Sequence, residues 1–278
     1  MRRFDELRAD QVGRGKNRTR TSDVLGRASQ QLGTLGGGNH YIELCTDSRD
    51  RLWITLHSGS RGIGNLLGTE HIERAKADPR NEDLPAHLKE LALFYKGTPE
   101  MDAYLHDLHW AQEYAMRSRT LMMALIRKEL RDHLDARGRE VSFADEINCH
   151  HNYVSEEIVD GREMIVTRKG AISAKNGELA LIPGSMATGS YIVRGLGNPA
   201  SFSSASHGAG RKFSRGETKR RFTVEDVECT MIGIEARTDA GVIDEISLAY
   251  KDLESVIDAQ RDLVDVVEKL DTILCVKG

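Results

Sequence analysis

The feature that most restricts the fold is an abrupt change of period near the middle of the chain. From Thr98-Pro99 to about His133 the apolar residues recur at helical spacing, with Leu105, Leu108, Ala115, Leu121, Met122 and Leu125 as the expected buried stripe. Thr98 is a natural N-cap, and Pro99 fits the first helical position, where its missing N–H costs nothing. From Val141 to Val193 the pattern shortens to strand-like segments, INCHHNYV, EMIVTRKG, ELALIPGS and YIVRG. Asp160-Gly161 and Asn176-Gly177 lie between them as hairpin signals. Earlier, HYIELC (His40 to Cys45) and LWITLH (Leu52 to His57) alternate as strands do, and Gly64 to Ala77 reads as a helix. Later, Thr223 to Glu228 reads as a short helix capped by Thr223, Leu253 to Val267 as an amphipathic helix, and Thr272 to Val276 as a last strand. Strands and helices in no strict βαβ order specify an α+β fold, with mixed sheets flanked by helices. The polar stretch 1–20 reads as a mobile or residual N-terminal segment, and 21–278 as one catalytic domain without an internal boundary.

Composition narrows the functional classes. The chain is 39% apolar and 29% charged, the balance of a folded globular protein. No apolar run has the length of a membrane span, and the charged start from Met1 to Lys16 is unlike a secretory signal, so the cytoplasm is the expected compartment. Cys45, Cys149, Cys229 and Cys275 form no CxxC pair and read as small buried hydrophobes rather than a disulfide framework. A net charge of −4 excludes a uniformly basic coat for nucleic acid, but Arg211 to Arg221 carries six basic residues against one Glu. That segment is either a solvated face or a local phosphate-binding patch.

Four of the ten histidines sit in Gly-, Asn- or Ser-rich turns beside strands: His40 in GGGNHYIE, His57 in LHSGSRG, His151 in CHHNYV and His207 in SHGAGR. Each alone is equally readable as structural. Together they point to a metal or catalytic centre, because neutral imidazole is the commonest metal ligand and glycine lets backbone approach a bound group. The glycine-rich loops around Asn39, Arg61 and Ala209 suit an anion, yet none matches the P-loop or the dinucleotide fingerprint. The stretch Pro183 to Ser190 is either an ordinary turn or a hydroxyl-lined loop. His106 and His109, three apart on the long helix, read as surface or structural.

At these residues the chain resembles the RtcB-type RNA ligase family. The resemblance is an ordered series running from about Ser29 to Gly278: QLGTLGGGNHYIE, LHSGSRGIGN, NCHHNYV, TRKGAISA, LIPGSMATGSYIVRG, SFSSASHGAGR, AYKDLESVI and the terminal VKG. It implies an enzyme that uses GTP and manganese. Such an enzyme joins RNA 3′-phosphate or 2′,3′-cyclic phosphate ends to 5′-hydroxyl ends through a histidine–GMP intermediate, in tRNA splicing or RNA repair. His207 would be the nucleophile, and His40, His57 and His151 the manganese ligands. Asn39, Glu43, Asn152, Ser185, Ser190, Tyr250 and Lys277 would hold the guanosine and its phosphate, with Ala209 and Gly210 contributing backbone. Arg61 and Arg211 would face phosphates of GTP or RNA. The resemblance departs at the family's DxxCG-type motif, since neither Asp5 nor Asp10 is followed by a cysteine at that spacing. The expectation is therefore a chain lacking the N-terminal portion that carries an aspartate and a cysteine ligand. The chain would then be a fragment of a full ligase, the favoured reading, or one half of a split protein completed by that segment in trans, or a natural variant with changed function, and manganese binding and self-guanylylation by the chain alone would be weak. The alternative is a non-catalytic GTP- or RNA-binding remnant of such a ligase.

Overall fold

The computed structural model describes residues 11–12, 19–144 and 146–278, without the side chains of 11–12, 19–23 and 151. In chain order the elements are β1 (Gln11–Val12), β2 (Thr19–Arg20), α1 (Thr21–Gln31), β3 (Tyr41–Thr46), β4 (Leu52–His57), α2 (Ile63–Ala77) and α3 (Pro99–Asp135). They continue with β5 (His151–Val159), β6 (Arg162–Ser173), β7 (Leu179–Pro183), β8 (Ser190–Gly195), β9 (Ser204–Ser206), α4 (Arg215–Arg221), α5 (Val224–Thr230), β10 (Glu235–Ala236), α6 (Leu253–Asp258) and β11 (Val264–Lys277). The α+β class follows from the sequence as expected. Apart from the short paired strands β1 and β2, the segment read as mobile lies outside the described residues. None of the four cysteines is in a disulfide; Cys45 and Cys275 are buried as expected, whereas Cys229 is exposed.

The chain gathers into two compact units, a division its texture does not mark. The first holds the described residues up to Thr34 together with Ser58–Leu130, and the second holds Leu35–His57 and Arg131–Gly278. In the first unit, Val24 and Ala28 of α1, Ile63 and Leu67 of α2, and Trp110, Ala111 and Tyr114 of α3 form the core. The Tyr114 hydroxyl donates to the Ala28 carbonyl at 2.8 Å. The helix expected from Thr98 is α3, and the Thr98 hydroxyl accepts from the Met101 N–H at 3.3 Å. Its buried stripe is displaced from the expected one. Asp107, Trp110, Ala111, Tyr114, Ala115, Ser118 and Met122 point inward, whereas Leu121 and Leu125 are exposed. The two polar members have partners that no helical wheel reveals. Asp107 accepts from His71 at 2.9 Å, and Ser118 accepts from the Gly33 N–H at 3.1 Å.

In the second unit, one sheet runs β4-β3-β11-β8-β7 with β10 beside β11, and another runs β5-β6-β9. β11 joins the halves of the larger sheet. Its first part, from Val264 to Leu270, pairs with β8, and its last part, from Asp271 to Lys277, pairs with β3. Two expectations are corrected here. Leu253 to Val267 is not one helix: α6 ends at Asp258 and Val264 already belongs to β11, because the β-branched run VDVV pairs with β8. Asn176-Gly177 is not a hairpin turn, because β6 and β7 lie in different sheets and the turn carries the chain between them. Asp160-Gly161 is one, with φ of 50° and 74° as a two-residue hairpin demands. Ile172, Ala180, Ile182, Val193, Ala205 and Ile257 pack between the sheets and α6. A second cluster lays Val227, Val242 and Ile246 against Tyr41 and Cys275.

Candidate functional site

The site begins with strand alternation. Tyr41 and Glu43 are two apart on β3 and so share one face. Register places His57 and Lys277 on either side of Tyr41, and Thr55 and Cys275 on either side of Glu43. Two cross-strand rows result, His57–Tyr41–Lys277 and Thr55–Glu43–Cys275. Within them the His57 ring stacks on Tyr41 with centroids 5.5 Å apart, and the Lys277 Nζ lies 5.5 Å from the Tyr41 ring centroid. Thr55 donates to Glu43 at 3.3 Å. Residues from the two ends of the second unit meet here because β11 returns beside β3.

Above this face lies a cavity of about 310 Å³. Its wall continues through Pro183 to Met186 and Gly189 after β7, and through His207 to Arg211 after β9. Asn39, Arg215, Glu245 and Tyr250 complete it. The loop after β7 must be glycine at position 189: φ is +69°, and a Cβ there would lie 2.0 Å from the Leu270 carbonyl oxygen. The Ser185 and Thr188 hydroxyls hold each other at 3.0 Å across the same turn. The Ala209 N–H donates to the Pro183 carbonyl at 3.0 Å, joining the two loops. His207 lies against Gly170, whose N–H is held by the Asn152 side chain at 2.7 Å. Its Nδ1 is buried, and the residue lines the cavity.

Charge in the cavity is mixed. Burial pushes the Glu43 carboxyl up to about 7, against the opposing pull of the Cys275 thiol, the Lys277 charge and the Thr55 hydroxyl. Burial also raises the Tyr250 phenol, reinforced by the neighbouring Glu245 charge. Burial first, then Glu43, drives the Cys275 thiol up to about 12, so it is a neutral packing group rather than a thiolate. Arg211 turns its guanidinium toward protein acceptors, the Thr218 hydroxyl at 3.1 Å, the Asp244 carbonyl at 2.6 Å and the Phe213 carbonyl at 3.0 Å.

Of the residues singled out in the sequence, the structure brings Asn39, Glu43, His57, Ser185, His207, Ala209, Gly210, Arg211, Tyr250 and Lys277 to one cavity. Ser190 is fully buried at the start of β8, and Asn152 is one step away through Gly170. Arg61 belongs to the first unit, where its Nε donates to Thr34 at 3.3 Å. The His40 and His57 rings are 5.8 Å apart, and the side chain of His151 lies outside those described. Three wall residues outside the stretches singled out by chemistry escaped the sequence reading as site residues. Tyr41 was within reach of it, being two before Glu43 on an alternating strand. Arg215 was counted only as part of a basic run. Glu245 carries no local signal, whereas Met186 lies within the Pro183 to Ser190 stretch already singled out.

A sequence profile described as "tRNA-splicing ligase RtcB" matches residues 4–278. The chain belongs to the RtcB family. Relatives within RtcB include an RNA-splicing ligase RtcB of Escherichia coli strain K12, 49% identical over 253 residues that cover 90% of this chain and 62% of the relative. Another is an RNA-splicing ligase RtcB of Mycobacterium tuberculosis, 30% identical over 303 residues, covering 95% of this chain and 69% of the relative. A third is a tRNA-splicing ligase RtcB of Nanoarchaeum equitans, 29% identical over 300 residues, covering 91% and 61%. The chain thus spans 62% of the length of its Escherichia coli RtcB relative.

The donors that would suit a manganese ion, expected from the resemblance, are the imidazoles beside the cavity. His40 holds its Nδ1 on the Leu35 carbonyl at 2.8 Å, the second contact typical of a metal-binding imidazole, and it selects the tautomer with the lone pair on Nε2. His57 stands beside it and lines the cavity. Among the described residues no group of three His, Cys, Asp or Glu is gathered for a metal. His40 and His57 are thus two neighbouring imidazoles, short of a full ligand set among the described residues. Among the described residues, no helix is long and apolar enough to cross a membrane.

Proposed function

We propose that this chain carries the nucleotide-binding and nucleophilic part of a GTP-dependent RNA ligase acting in the cytoplasm on RNA 3′-phosphate or 2′,3′-cyclic phosphate ends and 5′-hydroxyl ends, in tRNA splicing or RNA repair. The observation that carries the reading is that one histidine, His207, shares a single cavity with Glu43 and Lys277. A guanine edge offers two N–H donors and one carbonyl acceptor, the complement of a carboxylate beside an ammonium. The Ser185 hydroxyl and the backbone of Ala209 and Gly210 would take the sugar and phosphate.

In the first step His207 Nε2 attacks the α-phosphorus of GTP. A P–N bond forms, the bond to the bridging oxygen breaks, and pyrophosphate departs with that electron pair. An oxygen of the RNA 3′-phosphate then displaces the imidazole, which regains its lone pair, and the end becomes a 3′-diphosphate linked to guanosine. The 5′-hydroxyl attacks the 3′-phosphorus, loses its proton to solvent, and GMP leaves. A cyclic phosphate is first opened by water. Close packing against Gly170, whose carbonyl also accepts from the His207 N–H at 3.3 Å, would help to orient the imidazole for the first step. Manganese, held by His40 and His57 with further ligands including His151, would supply charge neutralisation on the non-bridging oxygens.

The test is incubation of the chain with α-labelled GTP and manganese. An acid-labile protein–GMP adduct that disappears in His207→Ala is expected. GTP bound without an adduct would instead establish a remnant that binds but does not react, and released phosphate without an adduct would establish a hydrolase.

A further inference from the structure

Glu245 has no part in the chemistry above, and its surroundings are unusual. It is 4% exposed and lies at the end of a 3₁₀ turn, yet its carboxylate receives groups from three other segments. Its Oε2 accepts from the Tyr250 hydroxyl at 2.8 Å and from the Lys277 ammonium at 3.1 Å. Its Oε1 faces the Arg215 guanidinium at 2.6 Å and Arg211 at 3.7 Å. The direction of each hydrogen bond is forced. Arg211 can only donate, and its Nη1 donates to the Tyr250 oxygen at 3.1 Å. A carboxylate can only accept, so the Tyr250 proton must point at Glu245. Tyr250 therefore presents only acceptor capacity to the cavity. Lys277, with one proton on Glu245, presents only donors.

We propose that Glu245 is the positioning residue that sets the donor–acceptor polarity of the base end of the cavity and through it the preference for guanine over adenine. The proposal rests on the guanosine reading. Guanine carries an acceptor at its 6-position, suited to Lys277, and N–H donors beside it, suited to Glu43. Adenine carries an N–H₂ donor at the 6-position, which an ammonium fixed there would oppose. A carboxylate at 245 holds the ammonium in place. An amide there would turn its N–H₂ either toward Arg215 and Arg211, in the place of Oε1, or toward Tyr250 and Lys277, in the place of Oε2, and in both cases it sets donor against donor and removes the charge that holds the ammonium. The cost of leaving a buried donor unpaired is large enough to decide between two bases.

The experiment measures binding of GMP and AMP by calorimetry to the whole chain and to its Glu245→Gln and Glu245→Asp variants, with thermal melting of each as a control on folding. Glu245→Gln is expected to lose about tenfold or more in GMP affinity and less in AMP affinity, so that the ratio between them narrows. Glu245→Asp, which keeps the charge, is expected to recover part of that ratio. A merely structural role would weaken both nucleotides equally, and that result, or an unchanged ratio, overturns the proposal. A second readout needs no nucleotide: acylation of Lys277 by an activated acetate ester, located by peptide mass. Lys277 is buried in its ion pair, and its labelling should rise on the order of tenfold in Glu245→Gln. If the wild-type chain bound neither nucleotide, the guanosine reading would fall. Faster labelling would then still uphold Glu245 as the residue that places Lys277, and unchanged labelling would refute it.

Discussion

Replacing Glu43 by glutamine should change how stability depends on pH, by an amount the structure sets. The carboxyl is 3% exposed, and burial raises it from its ordinary 4.5 to about 7. The folded chain therefore holds this proton more tightly than the unfolded chain does. The group's contribution is fully present below 4.5 and is lost as pH rises through 7, since the unfolded state ionises first. About 2.5 units at roughly 1.36 kcal/mol each amount to about 3 kcal/mol. Urea unfolding of wild type and Glu43→Gln, measured in steps from pH 4 to pH 8, should give a difference that shifts by about that amount in favour of the variant and is level above 7. The same ionisation links to binding, because guanine N–H donors need the carboxylate. GMP affinity of the wild type should rise close to tenfold per unit as pH approaches 7 and then flatten, a trend Glu43→Gln should lack. Parallel unfolding curves across the whole range would refute the claim that burial raises the Glu43 carboxyl to about 7.

Gly189→Ala should cost more than about 2 kcal/mol in the same unfolding assay, because its Cβ would drive into the Leu270 carbonyl oxygen at a positive φ. Asp107→Ala should destabilise by about 3 kcal/mol, since it strips the buried partner from His71 and leaves the second contact, His106 at 3.2 Å, unanswered; a loss below about 1 kcal/mol would mean the pair is not maintained in solution. His40→Ala should weaken manganese binding 10- to 100-fold or so in a titration followed by paramagnetic relaxation, and an unchanged titration would remove His40 from the metal site.

Much of the site was legible because it is written in local order. Glycine-flanked histidines at strand ends, and a carboxylate three residues after His40, identify a polar centre whatever the tertiary arrangement. The N-cap at Thr98 and the Asp160-Gly161 turn are likewise local chemistry, and both stand as read. Local order could not say which sheet a strand joins. Asn176-Gly177 has a hairpin's composition, but β6 finds its partners in β5 and β9, so the same dipeptide becomes a crossing between sheets. Nor could it separate α6 from β11, since VDVVEKL satisfies a helical period as well as a strand's until β8 offers its open edge. Helical periodicity marked α3, yet it pointed Leu121 and Leu125 inward. Asp107 and Ser118 took that side because His71 and the Gly33 backbone needed partners there. The sequence by itself determined the fold class, the family and most of the reactive side chains. Only the tertiary structure decided that Lys277 stands beside Tyr41 and that Glu245 gathers Tyr250, Lys277 and Arg215. The physical reason is that cross-strand register and buried ion pairing depend on groups on different segments, brought together only by folding, which no pattern along the chain encodes.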